Sequence, residues 1–519
     1  MGLLVIPHYK GGQALDLFDP ISKGTFQTSK DLDIYKEGNL LRPHKRKFQA
    51  ITLPTITGGS SITVANSFKA SNGKTYVLGS AVISSTLNIV LWSTGTIESS
   101  PTWTADYNVG SGSPGTVMDE YKDGLFFGYG TNLDRWGDLS GSPSRTSIST
   151  GLDSVPLFIR AHKGLGKLYI VHGKKIASYN NTTVTLAALT VEQSDTIVGT
   201  EPLGRFMIVG VRAAGSGRSR FLVWDGTNTT LDDTIDLGEV ALQGFRIVNG
   251  TIEFVCQTFG VAAGFDFIRL MEVRPGSTPK LIQEKPYSVT TGSGTMDVNA
   301  FSNFGDLFLY AFKGSTYDID LGIYAYGSGS EKTSKVPAFL RLVSDGTTST
   351  VSVTSIQHNG DNIILIWSTL VGSGTYHIDG IGGNLTNATP STGVYQSNAF
   401  PLNKGKLGKI KRIILLHKNL PSSCGFTLKI KHFGHYPVTG SVASADSFVA
   451  ITTPQGTGSS TGKTQSTNDA AYTIVEDADK FKEARFAQIE IDWDEVNSTD
   501  AAEILFPIFI ETVDTVDEF

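Results

Sequence analysis

A short pattern recurs seven times along the chain: a turn rich in glycine or asparagine, an apolar strand, a second turn, and a second strand with aromatic residues. In the fourth copy, residues 204–210 form the first half and residues 221–226 the second. The turns start at residues 72, 123, 166, 204, 249, 305 and 359, so successive copies begin 38 to 56 residues apart. Four-stranded blades of β-propellers recur every ~40–50 residues. The repeat therefore predicts an all-β protein with a propeller of about seven blades.

A single blade cannot bury its hydrophobic face alone, so the blades must close into a ring. Closure also removes the sheet edges that would otherwise pair with other chains. Residues 48–56 are predicted to supply the strand that closes the ring with the last blade. Six or eight blades remain open alternatives, and a pair of β-sandwiches with irregular hairpins would be a different explanation of the same pattern.

The two ends of the chain differ from the repeat. Residues 1–47 show no long alternation, which predicts an irregular arm that packs on its own propeller or on a neighbouring subunit. Residues 396–519 contain an alternating strand at 426–431 and two apolar strands near the end, which predict a β-sandwich resembling a jelly roll. The predicted domains are thus an arm at 1–47, a propeller at 48–395 and a C-terminal sandwich at 396–519.

Length and charge limit the possible partners. A chain of 519 residues is too long for one compact core. The net charge of −6 gives no global electrostatic case for nucleic acid or for an anionic membrane. No run of about eighteen apolar residues exists, so no membrane insertion is predicted. The apolar start of the chain is too short for a signal peptide, which favours assembly in the cytoplasm.

Basic clusters near both ends of the chain are candidates for contacts between subunits. Nucleic-acid contact and an ordinary solvated face are the alternatives for these clusters. The glycine- and serine-rich stretch 455–468 is a further candidate interface element. The predicted interface residues are Phe18, Tyr35, Arg42, Lys45, Arg46, Lys47, Lys409, Lys411 and Arg412.

Motifs for catalysis or cofactor binding are incomplete. Residues 456–464 imitate a phosphate-binding loop, but Thr457 stands where that motif needs glycine. His432 and His435 are three residues apart, a spacing that places them on opposite faces of a strand rather than around one metal ion. Residues 111–115 lack the first glycine of a nucleophile elbow. We therefore predict no enzyme, no catalytic residue, no cofactor and no metal.

The alternative function is a propeller that binds or hydrolyses glycans. Sialidase-type propellers carry repeated Asp-box turns, and the nearest fragment, residues 344–347, has the wrong spacing. Trp92, Trp136, Trp224 and Trp367 could stack on sugars. Their positions at strand ends of the repeat favour packing in the blade cores instead.

The layout of the whole chain resembles that of tailed-bacteriophage tail proteins. The resemblance is carried mostly by the C-terminal third, in residues 397–413, 420–428 and 484–491. Such proteins form nozzles, tail tips or fibre attachments. The resemblance implies a structural component of the virion tail, assembled in the host cytoplasm, whose partners are other tail proteins, further copies of itself and a host surface glycan. The chain lacks the coiled-coil or triple-helical stalk of many fibres, which favours a compact tail component.

Overall fold

The computed structural model describes most of the repeat and parts of both ends of the chain. The described residues are 2–7, 12–13, 25–34, 40–50, 59–95, 102–111, 114–213, 218–238, 240–258, 265–288, 296, 299–311, 322–328, 335–342, 351–359, 362–369, 376–381, 389–390, 392–404, 406–418, 420–421, 423–434, 447–452, 463–466, 471–476, 481–493, 496 and 500–514. All regular structure in these residues is β-strand.

Five strands precede the repeat. They are β1 (Gly2–Ile6), β2 (Gly12–Gln13), β3 (Thr25–Lys30), β4 (Leu40–Leu41) and β5 (Lys45–Ala50).

Six four-stranded antiparallel sheets follow, and in each of them the strands lie in chain order. Blade 1 contains β6 (Gly59–Lys69), β7 (Thr75–Ile83), β8 (Thr86–Thr94) and β9 (Thr104–Ser111). Blade 2 contains β10 (Pro114–Glu120), β11 (Gly124–Tyr129), β12 (Asn132–Gly137) and β13 (Ser144–Ser149). Blade 3 contains β14 (Phe158–His162), β15 (Lys167–His172), β16 (Lys175–Tyr179) and β17 (Val184–Thr190).

The next three blades have the same arrangement. Blade 4 contains β18 (Asp195–Leu203), β19 (Phe206–Ala213), β20 (Ser219–Trp224) and β21 (Asp233–Asp236). Blade 5 contains β22 (Ala241–Val248), β23 (Thr251–Thr258), β24 (Phe265–Val273) and β25 (Lys280–Ser288). Blade 6 contains β26 (Phe301–Phe304), β27 (Leu307–Ala311), β28 (Gly322–Gly327) and β29 (Val336–Leu342).

Blade 7 combines strands from distant parts of the sequence. Its first three strands are β30 (Val351–Asn359), β31 (Asn362–Thr369) and β32 (Tyr376–Ile381). The fourth strand is β5, which pairs antiparallel with β32 so that Phe48 lies opposite Asp379. The predicted closure of the ring by an N-terminal strand is confirmed. Strand β5 begins three residues before the predicted segment 48–56, of which residues 51–56 lie outside the described residues.

The seven predicted turns have one common place in the fold. Each lies between the first and second strands of a blade, and the two strands of each sequence copy are the second and third strands of that blade. Asn249 and Gly250 show the local cause, because both have positive φ (50° and 74°) between β22 and β23. Two such residues form the type I′ turn whose twist matches a hairpin. The prediction of about seven blades is confirmed.

The ring closes through its first strands and through apolar clusters between neighbouring blades. The first strand of each blade contacts the first strand of the next, and β30 contacts β6. Between blades 3 and 4, the ring centroids of Tyr169 and Trp224 lie 5.3 Å apart, with the rings in an edge-on arrangement. The seam between blades 7 and 1 buries Ile364 and Ile366 with Trp92. Each of the seven seams contains such a cluster, so all seven contribute hydrophobic burial.

Glycines make room for aromatic rings at two of these seams. A Cβ at Gly244 in blade 5 would lie 2.3 Å from Cε2 of Phe301 in blade 6. A Cβ at Gly210 in blade 4 would lie 2.7 Å from Cε1 of Phe245 in blade 5. Carbon atoms in contact lie about 3.5–4.0 Å apart, so any larger side chain would force the blades to separate.

The remaining strands follow the ring. They are β33 (Thr389–Pro390), which pairs with β5, and then β34 (Gly393–Ser397), β35 (Phe400–Pro401), β36 (Gly408–His417), β37 (Thr427–Phe433), β38 (Val449–Thr452), β39 (Lys463–Ser466), β40 (Ala471–Val475), β41 (Phe486–Trp493) and β42 (Ile504–Asp514).

Strands from both ends of the chain form two further sheets, which we call the two-sheet unit. One sheet has the order β1-β42-β36-β40-β39, with β4 also paired to β42. The other has the order β2-β3-β34-β41-β37-β38, with β35 also paired to β41. Both sheets contribute to a single hydrophobic core, which contains Ile6 and Ile510 from the first sheet and Phe26 and Ile489 from the second.

The segment 1–47 therefore differs from the irregular arm expected from the sequence. Over its described residues it contains short strands that pair with C-terminal strands, for example Leu4 opposite Ile510. Phe26, Leu32 and Leu41 are fully buried in the shared core. The physical reason is that each N-terminal strand is too short to show an alternation of its own. Strands β1, β3 and β4 are held by partners more than 350 residues away in the sequence.

Candidate functional site

The first strands of the seven blades surround a central channel. A cavity of about 470 Å³ lies where these strands approach the turns to the second strands. Its wall includes residues from every blade, such as Ser67 from blade 1, Glu201 from blade 4 and Gln357 from blade 7. A volume in the range of about 300–1,000 Å³ is typical of small-molecule sites.

One half of the cavity wall carries charges from four consecutive blades. Arg160 Nε donates to Glu201 Oε1 at 2.9 Å, and Arg246 Nη1 lies 3.1 Å from the same oxygen. The two arginines also donate to the backbone carbonyls of Ile159 and Phe245. In blade 2, Asp119 Oδ2 accepts a hydrogen bond of 2.8 Å from the backbone N–H of Ala161. The geometry thus joins blades 2 to 5 at the channel.

Burial in the channel shifts the pKa values of these groups. Desolvation raises the pKa of Asp119, although Arg160 and two backbone N–H groups partly offset this rise. Desolvation lowers the pKa of Arg246 to about 10, and Glu201 offsets only part of that change. Desolvation also acts on Arg160, but there the carboxylates of Glu201 and Asp119 outweigh it and raise the pKa. Burial is therefore the main influence on the pKa of Arg246, whose neighbouring carboxylate is that of Glu201.

The other half of the wall is mostly polar, with Lys69 as its one charged lining residue. Ser67 Oγ donates to Ser355 Oγ at 2.9 Å, which joins blades 1 and 7. The side-chain amide of Gln357 is different, because neither its nitrogen nor its oxygen has a hydrogen-bond partner among the described residues although both atoms are buried. Phe68 adds a half-buried aromatic ring to the same wall. The cavity thus offers guanidinium groups on one side and an unsatisfied amide on the other.

A second cluster of charges lies between blades 5 and 6. Glu253 and Glu272 are directly opposite on β23 and β24. Lys335 Nζ lies 2.6 Å from Glu253 Oε1 and 3.3 Å from Glu272 Oε2. Tyr326 donates to Glu272 Oε2 at 2.9 Å. Burial raises the pKa of Glu253 to about 7, whereas hydrogen bonds from Tyr326 and Lys280 and the charge of Lys335 outweigh burial and lower the pKa of Glu272.

The pKa of Glu253 is raised and the pKa of Glu272 is lowered. Such opposite shifts are found in pairs of catalytic acids and bases. Glu253 has a fully buried side chain, however, and Lys335 lies against it. Lys335 therefore bridges both carboxylates, with Lys280 as a second cation beside Glu272, and we assign this cluster a structural role at the seam.

The predicted interface residues lie in different surroundings. Arg42 Nη1 forms an ion pair with Glu503 Oε1 at 3.1 Å. Arg412 Nη2 forms one with Glu511 Oε1 at 2.5 Å. Both pairs are within the chain, so these guanidinium groups support the two-sheet unit. Lys411 is exposed, and Lys45 and Lys409 are half-buried.

Four of the predicted interface residues have no described side chain. Phe18 and Tyr35 lie outside the described residues, and Arg46 and Lys47 are described only in their backbone. Of the stretch 455–468, only β39 is described. The role of these residues in subunit contacts stays a prediction.

Three of the four tryptophans considered for sugar stacking are inside the blades. Trp92, Trp224 and Trp367 are at most 1% exposed and belong to clusters between blades. Trp136 is half-buried and packs against the cluster between blades 1 and 2. Packing in the blade cores therefore accounts for these rings, and none of the three buried rings can stack on a sugar in this conformation.

The two histidines considered as metal ligands are not brought together around a described site. His432 Nε2 accepts a hydrogen bond from the backbone N–H of Lys482 at 3.3 Å. His435 lies outside the described residues. No group of three or more histidine, cysteine, aspartate or glutamate residues suited to a metal ion occurs in the described part of the chain.

The charged residues of the channel were not among the site residues predicted from the sequence. Asp119, Arg160, Glu201 and Arg246 each stand three to six residues before one of the repeat turns. A charged residue near the end of an otherwise apolar strand, at a similar place in four consecutive copies, is the signal that could have found them. The offsets differ because the hairpin turns differ in length: four residues separate the paired ends His162 and Lys167, but only two separate Val248 and Thr251.

The closed ring of six four-stranded sheets and one five-stranded sheet defines a β-propeller protein. The described residues contain no helix long and apolar enough to cross a membrane. No family model matches the sequence, and no curated protein matches it.

Some solved structures are similar in part. Raptor of Chaetomium thermophilum has a TM-score of 0.40 and 10% identity, over 66% of this chain and 30% of that chain. The Pan2 WD40 domain of Neurospora crassa has a TM-score of 0.36 and 8% identity, over 64% and 98%. A chain of a mitotic checkpoint complex has a TM-score of 0.39 and 11% identity, over 65% and 98%. At these values the fold assignment rests on the strand pairing described above.

Proposed function

We propose that this protein is a structural component of a bacteriophage tail, such as a nozzle, tail-tip or fibre-attachment protein. It would assemble in the host cytoplasm through contacts with further copies of itself and with other tail proteins. A host surface glycan is a further proposed partner. The sequence resemblance in the C-terminal third supports this class. The observation that carries the proposal is the edge strand β1.

Strand β1 has the properties of a surface that pairs with another chain. It is the apolar sequence Gly-Leu-Leu-Val-Ile at the edge of its sheet, and among the described strands only β42 pairs with it. Its Leu3 side chain is 60% exposed, the largest value among the exposed large hydrophobic residues described. Exposed apolar edges are normally blocked in monomeric proteins, because they pair readily with other strands. An edge of this kind therefore supports assembly between subunits.

The rest of the fold suits a rigid building block. The same N-terminal segment closes the propeller through β5 and completes the two-sheet unit through β1, β3 and β4. Local opening of either part therefore breaks strand pairs in a segment that both parts share. Assemblies that bear load benefit from such coupling, since it leaves few independently unfolding units.

Mass spectrometry of density-banded virus particles from the source culture tests the proposal. We expect peptides of this chain at several copies per particle, because closed symmetric assemblies use a fixed number of subunits. Free protein in the lysate, with none in the particles, would contradict the proposed role in a tail.

Replacing Leu3 with lysine is expected to weaken self-association of the purified chain at least about tenfold, because burial of one leucine contributes about 1.5–3 kcal/mol and a charge blocks edge pairing. Sedimentation velocity over a concentration series measures this change. The matched control is Leu186→Lys, on the outer strand β17, where Leu186 is 42% exposed. A monomeric wild type, or equal weakening by both variants, would contradict a role for β1.

A glycan-binding propeller is the second candidate function. The buried tryptophans do not support it, but the polar cavity of the channel does. Asp119 and Glu201 also place two carboxyl groups on that wall.

A further inference from the structure

We propose that the channel cavity binds the carboxylate of a small acid rich in hydroxyl groups, of the class of a uronic acid. The proposal goes beyond a structural role in a tail, which needs no ligand. It rests on three properties of the cavity wall: the arrangement of the two arginines, the charge balance, and the unsatisfied amide of Gln357.

The two arginines share one acceptor. Arg160 and Arg246 both contact Oε1 of Glu201, at 2.9 and 3.1 Å. Both are at least four-fifths buried, with side chains 16% and 14% exposed. Each guanidinium group has five N–H donors in a planar fork that fits a carboxylate. One shared glutamate oxygen and one backbone carbonyl each leave most of these donors available to a second carboxylate.

The charge balance also favours an anion. Glu201 is the only carboxylate with an ion pair to these arginines among the described residues. The Asp119 side chain faces backbone N–H groups instead, at 2.8 Å from both Ala161 and Glu120. Lys69 lines the same cavity and adds a further positive charge. A bound carboxylate would supply the missing negative charge in a place where water screens it poorly.

The hydroxyl groups of the ligand are inferred from the opposite wall. A buried amide that has neither donor nor acceptor satisfied destabilises the fold, because both groups lose the hydrogen bonds that they make to water. Both amide atoms of Gln357 are in this state among the described residues, and a rotation of this side chain toward the cavity would bring them to a ligand. A hydroxyl group donates and accepts, so a polyol satisfies both, whereas a simple carboxylate satisfies only the donor. The ring of Phe68 offers an apolar surface to the carbon face of such a ligand.

Isothermal titration calorimetry with glucuronate and with glucose tests the inference on the full chain. The two sugars differ in the carboxylate, so we expect glucuronate to bind at least about tenfold more tightly. A hyaluronan tetrasaccharide, which contains glucuronate within a chain, distinguishes the two sources of the ligand. Tighter binding of the tetrasaccharide indicates a polysaccharide, and tighter binding of free glucuronate indicates a small metabolite.

Two variants locate the site. Gln357→Glu keeps the shape of the side chain and adds a negative charge that repels a carboxylate, so it should weaken glucuronate binding at least about tenfold more than glucose binding. Arg246→Gln should abolish the preference for glucuronate over glucose. The matched control is Arg274→Gln, an exposed arginine of blade 5 outside the channel, which should bind like the wild type.

Thermal unfolding of each variant shows whether it is folded. If Arg246→Gln does not fold, Gln357→Glu alone decides the result. The proposal is overturned by equal affinity of the wild type for glucuronate and glucose, by no binding of either, or by an unchanged preference in Gln357→Glu.

Discussion

Replacing Phe26 with alanine is expected to destabilise the two-sheet unit by about 3–5 kcal/mol, because deletion of a fully buried aromatic side chain loses its transfer free energy and leaves a cavity. Phe26 is 0% exposed, and its ring lies 6.0 Å from that of Tyr395. Hydrogen exchange followed by mass spectrometry measures the effect, since exchange rates report the free energy of local opening. Peptides that cover β34 and β41 should exchange faster, by two orders of magnitude or more.

The matched control is Leu3→Ala, an exposed position in the same N-terminal segment. It should leave exchange in β34 and β41 unchanged. If residues 1–47 formed an arm that packs elsewhere, Phe26→Ala would also leave these strands unchanged. The comparison therefore tests whether the N-terminal strands belong to the C-terminal core.

The part of the fold that follows from local physics was predictable. Turns such as Asn249-Gly250 determine hairpins through two residues with positive φ. The strands beside them are apolar on both faces, because each blade packs between two others. These two signals repeat often enough to give the number of blades. They also locate the second and third strands of each blade.

The N-terminal strands were not predictable in this way. Pairing of Gly2 with Thr512 depends on partners about five hundred residues away, and the strands have only two to six residues each. Such strands carry too little alternation to be distinguished from a loop. Their stability comes from tertiary contacts, which a single sequence does not reveal.

The channel residues illustrate a different limit. Arg160, Glu201 and Arg246 belong to three different blades and meet only because the ring closes. In the sequence, each of them is a charged residue in an apolar strand, and its partner cannot be recognised. Glu253 and Lys335 likewise meet only at the seam between blades 5 and 6.

Replacing Glu253 with glutamine is expected to remove a fall in stability between pH 5 and pH 8. Burial raises the pKa of Glu253 from 4.5 to about 7 in the folded protein, although Lys335 partly opposes this. Between these values the folded state holds a proton that the unfolded state has released, so the free energy of unfolding decreases as the pH rises. The shift corresponds to a decrease on the order of 3 kcal/mol in the free energy of unfolding, and this decrease is complete above about pH 7. Urea unfolding of wild type and variant at both pH values measures the difference.

Glu272→Gln is the informative comparison, because the neighbouring carboxylate should behave with the opposite sign. The pKa of Glu272 is lowered by Tyr326, Lys280 and Lys335 despite burial, so its charged form stabilises the fold above its unfolded pKa, and this contribution is lost as the pH falls. Glu272→Gln should therefore make the protein less stable at neutral pH and change its pH dependence in the direction opposite to Glu253→Gln. If both variants change the pH dependence of the free energy of unfolding by the same amount and in the same direction, the two carboxylates titrate as one coupled pair. The contact with Lys335 then does not make their pKa values differ. If Glu253→Gln alone has no effect, Glu253 is ionised in the fold and Lys335 neutralises it fully.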